Sequence, residues 1–468
     1  MSPYRVNLAC SVCRSEHVQE ASGSSHRSLT ATALGQIYFA GQQFGAVCPR
    51  NGIPHLTSYC EQWISERTGQ TSRLRELFVR DMRKPSPLNG EPEQQTCPAN
   101  PSHFAGDVPL PEKWIVESLV GEFSASDFSL VFPLIDPLLF EETVRLAYVA
   151  DDAEPTLECM TARACVLAFA SLSSSHFPAS KAAAHIDGDF CAKAAQSFIA
   201  EIIEDASVTT LQTVIILLLH DTLCGRLQAS SMYHALACRI VFVLGGHRII
   251  TTVPRDRDMT RQEHEDRHLR MLFWLCYIFD KDIALRTGQP PIIADQFCDL
   301  TLPDGYDEQR FSGRQKSART GGLVQNTWLP SDLRLSMVKS KALQTLYSCT
   351  SLRMSDAELL KTIRELDEDL ESWRMSIPET FSPSLSIRKD VKLAQDASVS
   401  ESMLLIQLHM DYHYLLNIIH SASGRCTFRD RNLTFGVQSS FEISVEASRS
   451  TLIFLSATAS GVAGEAFW

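Results

Sequence analysis

From Trp114 almost to the C-terminus, apolar residues recur at steps of three and four, the spacing of helices that bury one face. It predicts helices over roughly 137–149, 157–173, 180–204, 208–223, 227–244, 262–286, 333–350, 355–374, 397–421 and 440–460. Gly225 separates two of them, and Gly245-Gly246 ends another as C-cap glycines do. No run alternates with period two, so no sheet is expected, and the fold class is all-α. Residues 304–332 read as a polar loop, and no internal repeat recurs at a fixed period.

The segment "RMLFWLCYIFDKDIALRTGQPPII" (270–293) poses the sharpest question, because Asp280 and Asp282 interrupt an apolar run. Leu269, Leu272, Cys276, Phe279 and Ile283 fall on one helix face. Residues two apart on a helix point about 200° apart, so the two acids cannot share a proton or a metal. A structural role is therefore expected for both, with Asp282 forming a surface ion pair with Arg286 four residues on. Gly288 suits a left-handed C-cap, and Pro290-Pro291 block continuation.

Residues 1–111 differ in pattern. Residues 1–60 show no clear period and hold Cys10, Cys13, Cys48 and Cys60. Residues 61–84 read as a short helix with a basic end, and residues 85–111, with seven of the chain's 21 prolines, as an extended linker. The expected organisation is thus a small irregular cysteine-containing head (1–60), a basic helix (61–84), a Pro-rich linker (85–111) and a large helical body (112–468). Charge sharpens this division. The formal net charge is -12, yet residues 1–83 carry nine Lys/Arg against six Asp/Glu, an excess of +3 that leaves -15 for the rest. A basic end on an acidic body suits polyanion binding at the head alone.

The 14 cysteines stand mostly singly in apolar segments, as reduced core thiols do. The first ten residues lack the apolar core of a signal peptide, and the longest strongly apolar run, "VIILLL" (214–219), is too short to span a bilayer. A soluble cytoplasmic or nuclear protein with no membrane partner is expected.

One motif argues for an enzyme. "HEDRH" (264–268) is formally H-E-x-x-H, which on a helix sets two imidazoles on one face with Glu265 alongside, as a zinc hydrolase requires. It lies in a fully charged segment, with no downstream helix placed to supply a third ligand, so the expected role is the exposed polar start of the 262–286 helix. The acid groups "DDAEP" (151–155) and "ELDEDLESW" (365–373) lack a complementary second metal motif and read as solvated faces. With no Gly-x-Ser-x-Gly elbow and no phosphate loop, the expectation is that the chain is not an enzyme.

The segment 270–303 closely resembles the signature of the fungal-specific transcription factor domain, through Arg270, Phe273, Trp274, Asp280, Gly288, Pro290, Pro291 and Pro303. Segments "VFPLIDPLLF" (131–140), "SMYHALACRIVFVLGGHR" (231–248) and "LLIQLHMDYHYLLNIIHSASG" (404–424) follow that family's order. The resemblance covers roughly 114–460. It implies an all-α regulatory domain of a nuclear regulator of RNA polymerase II genes, such as those of a metabolic or secondary-metabolite cluster. The implied partners are DNA, co-regulators or the transcription machinery, a small-molecule effector and a second copy in a homodimer. No catalytic residue is implied.

Such regulators begin with a binuclear zinc cluster of six cysteines in two C-x2-C-x6-C halves, with a basic helix that enters the major groove. Here Cys10 and Cys13 fit the first pair, Glu20 stands at the third place, Gly45 at the fourth, Cys48 at the fifth and His55 at the sixth. Three of six cysteines in register cannot bridge two zinc ions, so zinc-dependent DNA binding of the family's usual kind is not expected. Cys10, Cys13, Cys48 and His55 do have the ligand types and number for a single structural zinc, the alternative being four unliganded side chains. The segment 15–46 replaces the cluster's middle, by divergence, as a retained intron or through a wrong gene model. Arg14, Arg73, Arg75 and Arg80 are the candidate DNA-phosphate contacts, the alternative being a solvated surface. A regulator that has lost its own DNA-binding domain and works through partners is the variant this head suggests.

Overall fold

The computed structural model describes residues 35–39, 42–47, 54–69, 108–149, 156–177, 180–248, 259–303, 305–311, 328–385, 399–426 and 431–458. It divides into two compact units, one of residues 1–95, 281–291 and 334–466, the other of 96–280, 292–333 and 467–468.

Among the described residues, the first unit opens with a departure from an all-helical chain. Strands β1 (Gln36–Phe39), β2 (Gln42–Val47) and β3 (Pro54–Leu56) form an antiparallel sheet in the order β1-β2-β3, with an irregularity at Ile37/Tyr38. Helix α1 (Ser58–Thr68) follows, its N-cap Thr57 accepting from the Cys60 N–H and its end set by Gly69 at φ 67°. Phe44, Leu56, Cys60 and Ile64 form a small buried core beneath Ile37 and Trp63. Strands of three to six residues are too short for alternation to stand out, so the sequence pattern missed them. The helix expected over 61–84 starts at Ser58 and halts at Gly69; residues 70–84 lie outside the described residues.

The second unit comprises α2 (Lys113–Ala125), α3 (Phe128–Val131), α4 (Pro137–Ala147), α5 (Leu157–His176), α6 (Gly188–Ser197), α7 (Ile199–Ile202), α8 (Val208–Leu223), α9 (Leu227–Val243), the first twenty residues of α10 (Arg261–Thr287), and α11 (Tyr306–Phe311). Helices α5 and α8 are buried nearly all round, Leu211 and Val214 through Leu219 being fully enclosed. Phe169 of α5 takes Phe123 and Phe140 at ring separations of 5.5 and 5.0 Å. The helix expected over 180–204 is instead broken. After a 3-10 turn at Ala183–His185, Asp187 caps a new helix by accepting from the Phe190 N–H at 2.9 Å. The polar loop expected over 304–332 also proves partly buried. Tyr306, Arg310, Trp328, Leu329, Ser331 and Asp332 are enclosed; Arg310 Nε lies 3.4 Å from Asp332, and the Tyr306 hydroxyl accepts from the Leu333 N–H at 2.9 Å. Polar residues enter a core when they find one another there.

The first unit is completed by α12 (Leu333–Leu346, from Arg334 onward), α13 (Asp356–Met375), α14 (Val399–Ser421) and α15 (Arg431–Thr458). Ser355 and Glu358 form a reciprocal capping box at the start of α13, and Ile363, Leu366, Leu370 and Trp373 make its buried face. Trp373 stacks on Tyr412, and His409 of α14 stacks on Phe454 of α15 at 4.6 Å. Among the described residues no helix is long and apolar enough to cross a membrane.

Candidate functional site

Helix α10 carries the "HEDRH" histidines and the acids Asp280 and Asp282. Its first turn is held by reciprocal bonds between Thr260 and Glu263: the Thr260 N–H donates to the carboxylate at 2.7 Å and the Glu263 N–H to the hydroxyl at 3.3 Å. The imidazoles of "HEDRH" then go to separate partners. His264 Nδ1 lies 2.9 Å from the Asp136 carboxylate, which also caps α4 by accepting from the Leu138 and Leu139 N–H groups. His268 is 4% exposed, and its Nε2 accepts from the Gln212 amide at 2.9 Å, so the neutral ring carries its proton on Nδ1. Burial pushes His268 down to about 4. Glu265 pairs with Arg261 at 3.2 Å. The exposed polar start expected for this helix holds at Arg261 but fails at His268, since Gln212 gives the ring a buried partner.

The signature itself is a set of clamps. Arg270, buried, donates to the carbonyls of Gly246, Asp299 and Thr301 at 3.3, 2.6 and 3.4 Å, and its guanidinium lies over the rings of Phe273 and Trp274 at 4.7 and 4.6 Å. Asp280, also buried, accepts from the backbone N–H groups of Ile292 and Ile293 at 2.7 and 3.1 Å. The two residues after the proline pair are thus tied back to α10, and backbone donors that a bend would leave unpaired are satisfied. Gly288 adopts φ 73° with its N–H on the Ala284 carbonyl, the left-handed helix end the sequence predicts.

Asp282 corrects the expectation of a surface site. It is buried, and Lys339 Nζ, fully enclosed, donates to it at 2.7 Å and to Asp411 at 3.1 Å. Burial works against the ammonium, but the carboxylates of Asp282 and Asp411 outweigh it and hold Lys339 above the ordinary lysine range. No local spacing announces this triad, whose members are 57 and 72 residues apart.

The head residues divide differently. Cys10, Cys13, Cys48, Arg14, Arg73, Arg75 and Arg80 lie outside the described residues. His55 stands on β3 opposite Ala46, and Gly45 pairs with Leu56. A Cβ on Gly45 would fall 2.3 Å from the His55 carbonyl oxygen, so a cysteine at that place is incompatible with the sheet.

A cluster that sequence reasoning passed over lies between α9 and α10. His234, Cys238 and Asp280 are all buried, with His234 Nε2 3.2 Å from Cys238 Sγ and 4.0 Å from Asp280 Oδ1. The available signal was H-x3-C on a predicted helix, which puts both side chains on one face.

Comparison with known proteins adds the following. Residues 157–375 match the family model described as the fungal specific transcription factor domain. An "ABC-transporter-regulating transcription factor" of Aspergillus oryzae is 28% identical over 409 residues, covering 85% of this chain and 41% of that protein. A protein of the same name from Aspergillus fumigatus is 34% identical over 155 residues, 33% of this chain and 16% of that protein. The "Nitrogen assimilation transcription factor nit-4" of Neurospora crassa is 25% identical over 228 residues, 46% of this chain and 18% of that protein. The chain therefore spans less than half the length of these relatives. No solved structure matches it.

Proposed function

We propose that this chain, whose residues 157–375 match the family model described as the fungal specific transcription factor domain, regulates transcription of RNA polymerase II genes in the nucleus. The observation that carries this reading is the signature of α10 and its clamps, found within the span that the family model matches. The reading is of a non-enzyme: His264 and His268, the one pair that suggested hydrolysis, have separate structural partners. Two Aspergillus relatives are named for regulating ABC transporters, so transporter genes are the first targets to examine, alongside a metabolic or secondary-metabolite gene cluster. In this reading the body, 112–468, relays an effector, a co-regulator or a second copy of the chain. The head through Arg14 and the basic helix after it through Arg73, Arg75 and Arg80 contribute phosphate contacts, and a zinc ion on Cys10, Cys13, Cys48 and His55 would hold the head together.

A second reading, a regulator that reaches DNA only through a partner, is favoured by the register of β2 and β3. Gly45 and His55, which stand at the fourth and sixth cluster places, are paired into a sheet with no room for a side chain at 45.

The test is to fuse the full chain to an unrelated DNA-binding domain upstream of a reporter and to map the unfused chain on chromatin. Altered reporter output with chromatin occupancy is expected; the absence of both would overturn the regulatory reading. Gel shift of the purified chain on the occupied sequences then separates the two variants: a zinc-dependent shift supports direct binding, and none supports the partner route.

A further inference from the structure

We propose that His234, Cys238 and Asp280 form an internal site for a single divalent zinc ion. His234 and Cys238 are four apart on α9 and so share a face, onto which α10 brings Asp280. The three residues are 2%, 0% and 2% exposed, and their ligand atoms all lie within 4.8 Å of one another. His234 Nε2 is 3.2 Å from Cys238 Sγ, 4.0 Å from Asp280 Oδ1 and 3.1 Å from the Cys276 carbonyl oxygen. Zinc bonds of about 2.0–2.3 Å to nitrogen, sulfur and oxygen give tetrahedral edges of roughly 3.3–3.6 Å. The His234–Cys238 edge falls just under that range and the edges to Asp280 lie above it, within 4.8 Å, so closure of Asp280 toward the pair by up to about 1 Å seats the ion, with the Cys276 carbonyl beside His234 as the candidate fourth ligand.

Charge supports the same assignment. A thiolate and a carboxylate cancel the two positive charges while the imidazole stays neutral, and a site this deeply buried requires such neutrality. A thiolate beside imidazole and carboxylate selects zinc over the harder divalent ions. Asp280 is already held in place: its two oxygens accept from the Ile292 and Ile293 N–H groups, as outer hydrogen bonds fix ligands elsewhere. Without metal, the His234 Nε2–H donates to the Cys276 carbonyl. On binding, that proton is exchanged for one on Nδ1, the Cys238 thiol gives its proton to solvent, and one proton is released per zinc ion bound at neutral pH. The ion would tie α9 to α10 at the acid that holds the turn after Pro290-Pro291.

The test uses the full chain carrying C10S, C13S and C48S, so that the ligand set proposed for the head keeps no thiolate and the proposal stands or falls apart from the head-zinc reading. After refolding with zinc and exhaustive dialysis, about one zinc per chain is expected by elemental analysis, and cobalt(II) substituted for it should give a thiolate charge-transfer band with tetrahedral d–d bands. Adding C238S should abolish the band and lower the retained metal at least tenfold; H234Q should do the same to the metal content. Absence of bound zinc and of the cobalt band in the C10S/C13S/C48S chain overturns the proposal, as does full metal content in folded C238S. Should C238S fail to fold, the cobalt spectrum of its parent decides by the same two outcomes.

Discussion

Replacing Lys339 with Met removes the one cation of a buried triad while nearly preserving its volume. Lys339 is fully enclosed, Asp282 is 5% exposed at its side chain and Asp411 18%, with contacts of 2.7 and 3.1 Å. Removing one partner of a buried ion pair costs about 3–5 kcal/mol, because the remaining charge loses its compensation. Water reaches Asp411, so the lower end, about 3 kcal/mol, applies. For a unit of this size that corresponds to a fall of roughly 6–12 °C in melting temperature. Lys341, on the same helix, supplies the control: it pairs with Asp369 at 2.6 Å, but the side chains are 50% and 36% exposed, so K341M should cost about 0–1 kcal/mol. Denaturant and thermal melts of full-length K339M, K341M and the K339M/D282M double variant measure the three. The double variant should recover part of the loss, since it no longer buries an uncompensated carboxylate at 282. The raised folded pKa of Lys339 means that its contribution is present below the unfolded lysine value of about 10.4 and is lost only as pH rises through the folded value, so the loss should be flat across neutral pH. Equal costs for K339M and K341M, or a K339M effect under 1 kcal/mol, would refute the reasoning.

Gly288→Ala forces a Cβ into φ 73° and should destabilise by about 1–2 kcal/mol in the same melts; an unchanged midpoint would mean the helix end can relax. Arg270→Lys keeps the charge but replaces the planar fork that reaches three carbonyls and two rings, so a loss of about 2 kcal/mol is expected, with faster backbone hydrogen exchange over 295–303; protection equal to the unmutated chain there would count against the clamp. Burial pushes both His268 and His409 down to about 4. Their unfolded forms take up protons near 6.5, so stability should be complete above that pH and fall as pH drops toward 4, by up to about 1.4 kcal/mol per unit for each ring. H268Q should shallow that slope, and a pH-independent melting temperature between 7 and 5 would contradict the assigned burial.

Most helices were legible because their causes are local. The apolar period set 208–223 to the residue, and 227–244, 262–286 and 355–374 to within one, as α8, α9, α10 and α13. Gly288 and Pro290-Pro291 announced the end of α10 because a left-handed residue and a missing N–H are properties of the residues themselves. The structural role of Asp280 followed from helix geometry alone, although its acceptors' partners, Ile292 and Ile293, did not. The sheet of 36–56 was hidden by its brevity, and the broken helix at 183–188 by an alanine-rich pattern that suits one helix as well as two.

What the sequence determined by itself, then, is where most of the long helices run and stop and which face of each turns inward, together with the ordered motifs that resemble the fungal specific transcription factor domain. Periodicity reports a face but not what covers it. Tertiary structure alone decided that Asp282 is buried against Lys339, and that His264 and His268, one turn apart, go to Asp136 and Gln212. The same folding set His234 and Cys238 against Asp280. These partners lie 42 to 128 residues apart in the chain, and a buried polar group takes whichever partner the packing of helices delivers.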